Sequence, residues 1–165
     1  MSQPTSQQPA LLIDHALLDA VSAEAQASPR RRRNRNFHAA DGDAAHRLLN
    51  AIEPGSYVAP HRHLDPAKDE TMIVVRGRLG AVFFDAAGKV LQTAVLAAGG
   101  AACGVNIPHG VYHAVLGLEP GTVFFEAKAG PYMALTAAER AAWAPVEGEA
   151  AAGDYLQSLM AYFKG

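Results

Sequence analysis

The sequence predicts an all-β fold, a jelly-roll barrel with helices flanking it at both ends, and three observations predict it. Between about residue 30 and residue 128 the chain is a series of short runs of β-formers separated by glycine- and proline-containing turns. About eight such strands at this spacing fit a jelly roll or barrel. Finally, three imidazoles and one carboxylate, His61, His63, Glu70 and His113, fall on adjacent runs. Four ligands drawn from neighbouring strands close on one ion only where the sheet curls.

The elements follow in order. Residues 1–10 read as a disordered tail, and 11–165 as one domain, with a barrel core over about 30–130 and a helical C-terminal segment over about 137–163. Asp14 to Ala27 is expected to be a helix, because Leu17, Leu18, Val21 and Ala25 form one apolar stripe. Asp14 is its N-cap and Pro29 ends it. Arg30 to Phe37 reads as a first strand, followed by the Asp41-Gly42-Asp43 turn. Strands are then expected over His46 to Glu53, Tyr57 to His63, Glu70 to Arg76 and Arg78 to Asp85. Lys89 to Leu96, Ala101 to Ile107, Tyr112 to Leu118 and Thr122 to Lys128 complete the set. Pro54-Gly55, Ala86-Ala87-Gly88, Gly99-Gly100 and Pro120-Gly121 supply the turns. Ala137 to Trp143 and Asp154 to Phe163 read as helices packed outside the sheet.

Bulk properties narrow the function classes. A chain of 165 residues holds one core comfortably. Its net charge of −2 gives no global pull toward nucleic acid or an anionic membrane. One cysteine, Cys103, excludes an intramolecular disulfide and fits a reducing compartment; it reads as a small buried strand residue. The first ten residues lack the basic start and apolar stretch of a signal peptide, and no apolar run is long enough to span a bilayer. A cytoplasmic location is the expectation.

Strand periodicity explains the ligand spacing. Residues two apart on a strand share a face, so His61 and His63 aim the same way if Tyr57 to His63 is extended. Leu64 to Asp69 carries turn residues, and the chain returns in a second strand that Glu70 opens. His113 comes from a third segment, past the Pro108-His109-Gly110 turn. Nitrogen and oxygen donors of this kind suit a divalent transition metal: iron, manganese, nickel, copper, cobalt or zinc.

The string Gly55-x5-His61-x-His63-x6-Glu70-x6-Gly77 resembles the first motif of the cupin superfamily, and Pro108-x-Gly110-x2-His113 resembles the core of its second. The gap between His63 and Glu70 is longer than that motif's usual three or four residues. Ala102 and Gly117 stand where the second motif usually has glycine and asparagine. The wider context is similar to the WbuC-type cupin-fold metalloproteins, through Arg31-Arg-Arg-Asn-Arg-Asn-Phe-His38, Pro60-His-Arg-His63, Ile107-Pro-His-Gly-Val-Tyr-His113 and Gly130-Pro-Tyr132 among other stretches. The resemblance implies a cupin double-stranded β-helix with one divalent metal held by His61, His63, Glu70 and His113. It also tilts the expected pathway toward surface-polysaccharide or sugar-nucleotide metabolism.

Other residues carry weaker signals. In the Arg30–Arg35 run, Arg32, Asn34 and Asn36 share one strand face, and such a face at a barrel mouth can clamp a carboxylate or phosphate. Nucleic acid is discounted, since no aromatic platform is interleaved. Substrate-binding candidates are therefore Arg32, Asn36, His38, which follows an inward strand, and Tyr57, which shares the face of the metal histidines. His15 and His46 read as surface or supporting residues, and His109 as facing outward. No second carboxylate is evident as a general acid. Two functions remain open: a metalloenzyme of isomerase, epimerase, lyase or dioxygenase type on a sugar-like or anionic substrate, or a non-catalytic metal-dependent sensor or binding module. The expected partner is a small molecule, and a homodimer follows from the open sheet edges of cupin-like barrels.

Overall fold

A computed structural model describes residues 9–164. Most of the expected tail lies outside the described residues. Helix α1 (His15–Ala27) begins where Asp14 accepts a hydrogen bond from the Leu17 N–H at 3.0 Å, which satisfies one of the donors a helix start leaves free. Eight strands follow: β1 (Arg32–Asn36), β2 (Ala45–Ile52), β3 (Glu70–Arg76), β4 (Arg78–Phe84), β5 (Val90–Ala97), β6 (Gly104–Ile107), β7 (Tyr112–Gly117) and β8 (Thr122–Ala129). Helix α2 (Ala152–Met160) runs into a short 3-10 turn over Ala161–Phe163.

The strands form two antiparallel sheets, ordered β1-β2-β8-β3-β6 and β5-β4-β7. They face each other as a jelly roll and are not hydrogen-bonded into a closed ring. Between them lies a core of Ile52, Met72, Val74 and Phe124 from the larger sheet and Leu79, Ala81, Phe83 and Val115 from the smaller. Each large apolar side chain buried here contributes about 1.5–3 kcal/mol. On the outer face of the larger sheet, Leu18, Val21 and Ala25 of α1 cover Leu49, Ala51 and Val123. On the outer face of the smaller sheet, Ala141, Leu156 and Leu159 cover Val82, Ala114 and Leu116. The outside layers leave the inner faces of β2, β3, β7 and β8 free to build a site.

Three expectations are corrected. Tyr57–His63 is not a strand: its pairing is confined to isolated bridges from His61 to His113 and to Arg140. Pro60 has no N–H to extend a ladder there. Ala137–Trp143 is not a helix but a run of turns whose backbone pairs with residues 60–62: Arg62 N–H donates to Glu139 O and Ala141 N–H to Pro60 O. Seven helix-forming residues are too few to hold a helix against such tertiary partners. Cys103 is exposed, because it precedes β6 in the turn rather than lying on the strand.

Candidate metal centre

The site is built from three backbone devices. His61 and His113 are locked opposite each other, since His61 N–H donates to His113 O at 3.1 Å and His113 N–H donates to His61 O at 2.9 Å. The turn before His113 docks on the first histidine segment: Gly110, at φ +82°, donates its N–H to His63 O at 2.6 Å. A side chain at that position would be forced into the left-handed region that glycine occupies freely. Glu70 begins β3 with Lys128 of β8 as its register partner, so both enter from neighbouring strands at one end of the inner face. The long gap before Glu70 is a turn pinned at its start by Leu64 N–H donating to Glu139 Oε1 at 3.0 Å, and at its end by Lys68 Nζ to Pro131 O at 2.8 Å and by Asp69 accepting from His109 N–H at 2.8 Å. His109 is exposed and paired with Asp69, away from the ligand cluster.

The four side chains converge. One donor atom from each of His61, His63 and Glu70 lies within 4.8 Å of the others. His63 Nε2 is 3.1 Å from Glu70 Oε1, and His113 Nε2 is 3.0 Å from Glu70 Oε2. The last contact is close but poorly aligned, and both of its atoms are buried with no hydrogen bond. A buried donor and acceptor left unpaired cost about 1–3 kcal/mol each, so these two atoms fit ligation of a cation. The tautomers agree with that. His61 Nδ1 faces Ala59 O at 3.0 Å and His113 Nδ1 faces Val111 O at 2.9 Å. Each Nδ1–H is thereby assigned as a donor to a carbonyl, which leaves Nε2 with its lone pair toward the cluster.

Electrostatics keep His61 and Glu70 in metal-ready forms. Burial, reinforced by His113, lowers the His61 pKa to about 4, so its ring stays neutral. Burial opposes ionisation of Glu70, but the contacts from His113 and His63 and the Lys128 ammonium outweigh it and hold the carboxyl well below the usual range. A neutral imidazole and an ionised carboxylate are the protonation states that ligate a divalent ion.

Beside the cluster lies a cavity of about 340 Å³, lined by His61, Glu70 and His113 at one side and by Arg30 and Arg32 at another. Its wall carries a polar network absent from the sequence expectations. Lys128 Nζ lies 2.8 Å from Glu70 Oε1 and 2.7 Å from Glu126 Oε1, although the second contact is out of line for a hydrogen bond. Asn50 Nδ2 donates to Glu126 Oε2 at 2.8 Å. Burial pushes the Glu126 carboxyl up, with Lys128 resisting. Burial would lower the Lys128 ammonium, but the two carboxylates, Glu126 foremost, hold it above its ordinary value. The available signal was strand alternation: Phe124, Glu126 and Lys128 share the inward face of β8. A second cavity of about 180 Å³ meets the cluster from the other side, at His61 and His63, with His46 and Tyr132 on its wall.

The substrate-binding candidates are placed unevenly. Arg32 lines the larger cavity. Asn36 is exposed and accepts a hydrogen bond from Asn34 at 2.8 Å. His38 is buried and stacks on His46, ring centres 3.9 Å apart, so it stands behind a residue of the second cavity's wall and lines neither cavity itself. Tyr57 is buried in the layer under α2, its hydroxyl donating to Pro145 O at 2.7 Å, so it packs rather than lining a cavity. It sits there because residues 57–60 are loop, and strand alternation with His61 does not apply.

A family profile described as Domain of unknown function (DUF6016) matches residues 13–96, which include His61, His63 and Glu70. No curated protein matches the chain. Among solved structures, it is similar to KdgF from Halomonas sp., at 16% identity over 64% of this chain and 84% of that one, TM-score 0.50. It is likewise similar to a conserved protein of unknown function from Streptococcus pyogenes, at 12% identity over 81% of this chain and 98% of the other, TM-score 0.51. A cupin superfamily protein from Desulfitobacterium hafniense is similar at 14% identity over 59% of this chain and 76% of that one, TM-score 0.47. The first two likenesses show the fold, the jelly roll of two antiparallel sheets with flanking helices that the sequence resemblance implies.

Proposed function

The chain belongs to the DUF6016 family, and we propose that its cupin fold serves a divalent-metal-dependent enzyme acting on a small sugar-like or anionic substrate. One observation carries the reading: Glu70 Oε2 and His113 Nε2 are buried and unbonded among four converging donors, beside a cavity of about 340 Å³. His61, His63, Glu70 and His113 hold the ion in this reading. A bound ion supplies Lewis-acid polarisation of a carbonyl or hydroxyl, or oxygen activation if it is redox-active.

The chain's own groups divide the remaining work. Glu126, raised by burial and aimed into the cavity, takes and returns a proton at Oε1, in keeping with isomerase, epimerase or lyase chemistry. Asn50 fixes the other oxygen of that carboxylate. Lys128 holds Glu70 and Glu126 together and keeps their charges compatible. Arg32 marks the cavity wall for an anionic group. Sugar-nucleotide or surface-polysaccharide metabolism in the cytoplasm is the proposed setting. The proposed assembly is a homodimer, paired through the N-terminal strand or the C-terminal helix; a monomeric mass by light scattering would refute it.

The test is elemental analysis of protein purified without a metal-affinity tag, beside His61→Ala and His113→Ala. About one transition metal per chain, lost in both variants, is expected. Absence of metal before and after reconstitution would sink the reading. Turnover then separates enzyme from binding module: saturable ligand binding with no product on any metal would leave a sensor.

A further inference from the structure

Two of the residues that line the larger cavity, Arg30 and Arg32, already hold a carboxylate, and it is the protein's own. Arg30 and Arg32 both grip the side chain of Glu147. Arg30 donates from Nε to Oε1 at 2.9 Å and from Nη2 to Oε2 at 2.6 Å. Arg32 donates from Nη1 to Oε1 at 2.8 Å and from Nη2 to Oε2 at 2.7 Å. Each carboxylate oxygen thus receives one N–H from each guanidinium, a double fork–fork pairing that is specific for a planar two-oxygen anion. Two cations meet one anion, so the clamp keeps an excess positive charge.

The clamp is built, not incidental. Arg30 and Arg32 are two apart in sequence, and the residue between them, Arg31, is the one non-glycine at positive φ among the described residues (+54°). Side chains resist that conformation, and residues held in it cluster at functional sites. Arg31 is fixed there by its Nε donating to Pro54 O at 2.8 Å. Arg32 is further oriented by Nη1 donating to Tyr57 O at 3.0 Å. Both clamp residues line the same cavity as His61, Glu70 and His113.

The occupant rides on an exposed segment. Glu147 lies on an exposed loop over residues 146–149, with Gly148 at φ +93° beside it. That loop is anchored on one side through Pro145 O, which accepts from the Tyr57 hydroxyl. The backbone of an exposed loop next to a permissive glycine gives way readily once an incoming carboxylate replaces the four bonds to the arginines.

We propose that Arg30 and Arg32 form the carboxylate subsite for the cavity's ligand, and that Glu147 is a built-in stand-in which the ligand's carboxylate displaces. The ligand class is then a small acid with a hydroxyl or carbonyl oxygen several bonds from its carboxylate, so that one molecule reaches both the clamp and the metal end. The metal end of this statement rests on the function proposed above; the clamp end does not.

The test uses gluconate and its neutral counterpart sorbitol as probes. Binding is measured by calorimetry to wild type, Glu147→Gln and the double variant Arg30→Ala/Glu147→Gln, each with metal and after chelation. Removing the internal competitor raises the competent fraction, so Glu147→Gln is expected to bind gluconate about tenfold tighter or more. Sorbitol binding stays unchanged, and Arg30→Ala erases the gain. Amide exchange over residues 143–149 of the wild type rises when gluconate binds, the reverse of ordinary ligand protection. Glu147→Ala serves if Glu147→Gln folds poorly. Equal gluconate affinity in wild type and Glu147→Gln, an equal gain for sorbitol, or unchanged exchange in the loop would overturn the proposal. Metal content of the same samples separates the two readings. A gluconate gain that survives chelation keeps the clamp whatever becomes of the metal. Bound metal with no gain removes the clamp alone.

Discussion

Along β3 the inward residues are Glu70, Met72 and Val74; along β8, running the other way, they are Lys128, Glu126 and Phe124. The two strands obey one alternation, yet one end of their shared face is ionic and the other is apolar. β2 repeats the pattern with Asn50 and Ile52, and β7 with His113 and Val115, all four lining the same cavity. The apolar end returns the free energy expected of buried hydrocarbon. The ionic end costs desolvation of Glu70, Glu126 and Lys128, and mutual pairing offsets that only in part. A fold keeps such an end for what it binds. Where a β-sandwich core changes polarity along the strands, the change itself marks the site.

The comparison breaks most strongly at its ionic hinge. Lys128→Met leaves two carboxylates buried together and is expected to cost about 3–5 kcal/mol of unfolding free energy in chelated protein. A bound metal should recover part of that loss, which urea unfolding with and without metal would measure. At the apolar end, Leu79→Ala is expected to cost about 2–5 kcal/mol and to leave metal stoichiometry intact in the folded fraction. An Asn50→Ala change strips the donor from Glu126 Oε2, for an expected loss of about 1–3 kcal/mol. Away from both ends, Asp14→Ala removes only the α1 cap and should cost about 1 kcal/mol, with no effect on metal content.

The smallest effect is a pH dependence. Hydrogen bonds from Arg30 and Arg32 pull the Glu147 carboxyl from 4.5 to about 2. A depressed folded-state pKa stabilises the protein above the unfolded value and loses that contribution as pH falls through the folded one. The melting-temperature gap between wild type and Glu147→Gln should therefore be full above about pH 5 and close between 4.5 and 2. A gap that persists unchanged at pH 2 would mean that the charge on Glu147 does not set it.

How much of this was legible in the sequence depended on whether the signal was local. Asp14 with an apolar stripe behind it matched α1 to within a residue, and the short runs between turns matched the eight strands while adding one, Tyr57–His63, that does not form, because capping and periodicity are properties of neighbouring residues. His61, His63, Glu70 and His113 were readable as a set through their order and the turns between them, and the fold brings them together. Ala137–Trp143 misled because helix propensity is weak beside the backbone pairing that residues 60–62 offer it. Glu126 and Lys128 stood on an inward face of a correctly placed strand, but charged residues on a strand are ordinarily solvated, and only the register with Glu70 makes them part of the site. Glu147 was invisible: it lies 115 residues from Arg32, and nothing local ties them.

The ionic end of the inner face is a metal centre only if it takes one ion with nitrogen and oxygen donors. Cobalt(II) titration of chelated protein, followed by visible absorption, asks this directly. Wild type should develop ligand-field bands that saturate at about one cobalt per chain, with the bands lost in His113→Ala. A spectrum indistinguishable from aqueous cobalt at every ratio would contradict the centre and leave the buried Glu70–His113 pair without an ion to explain it.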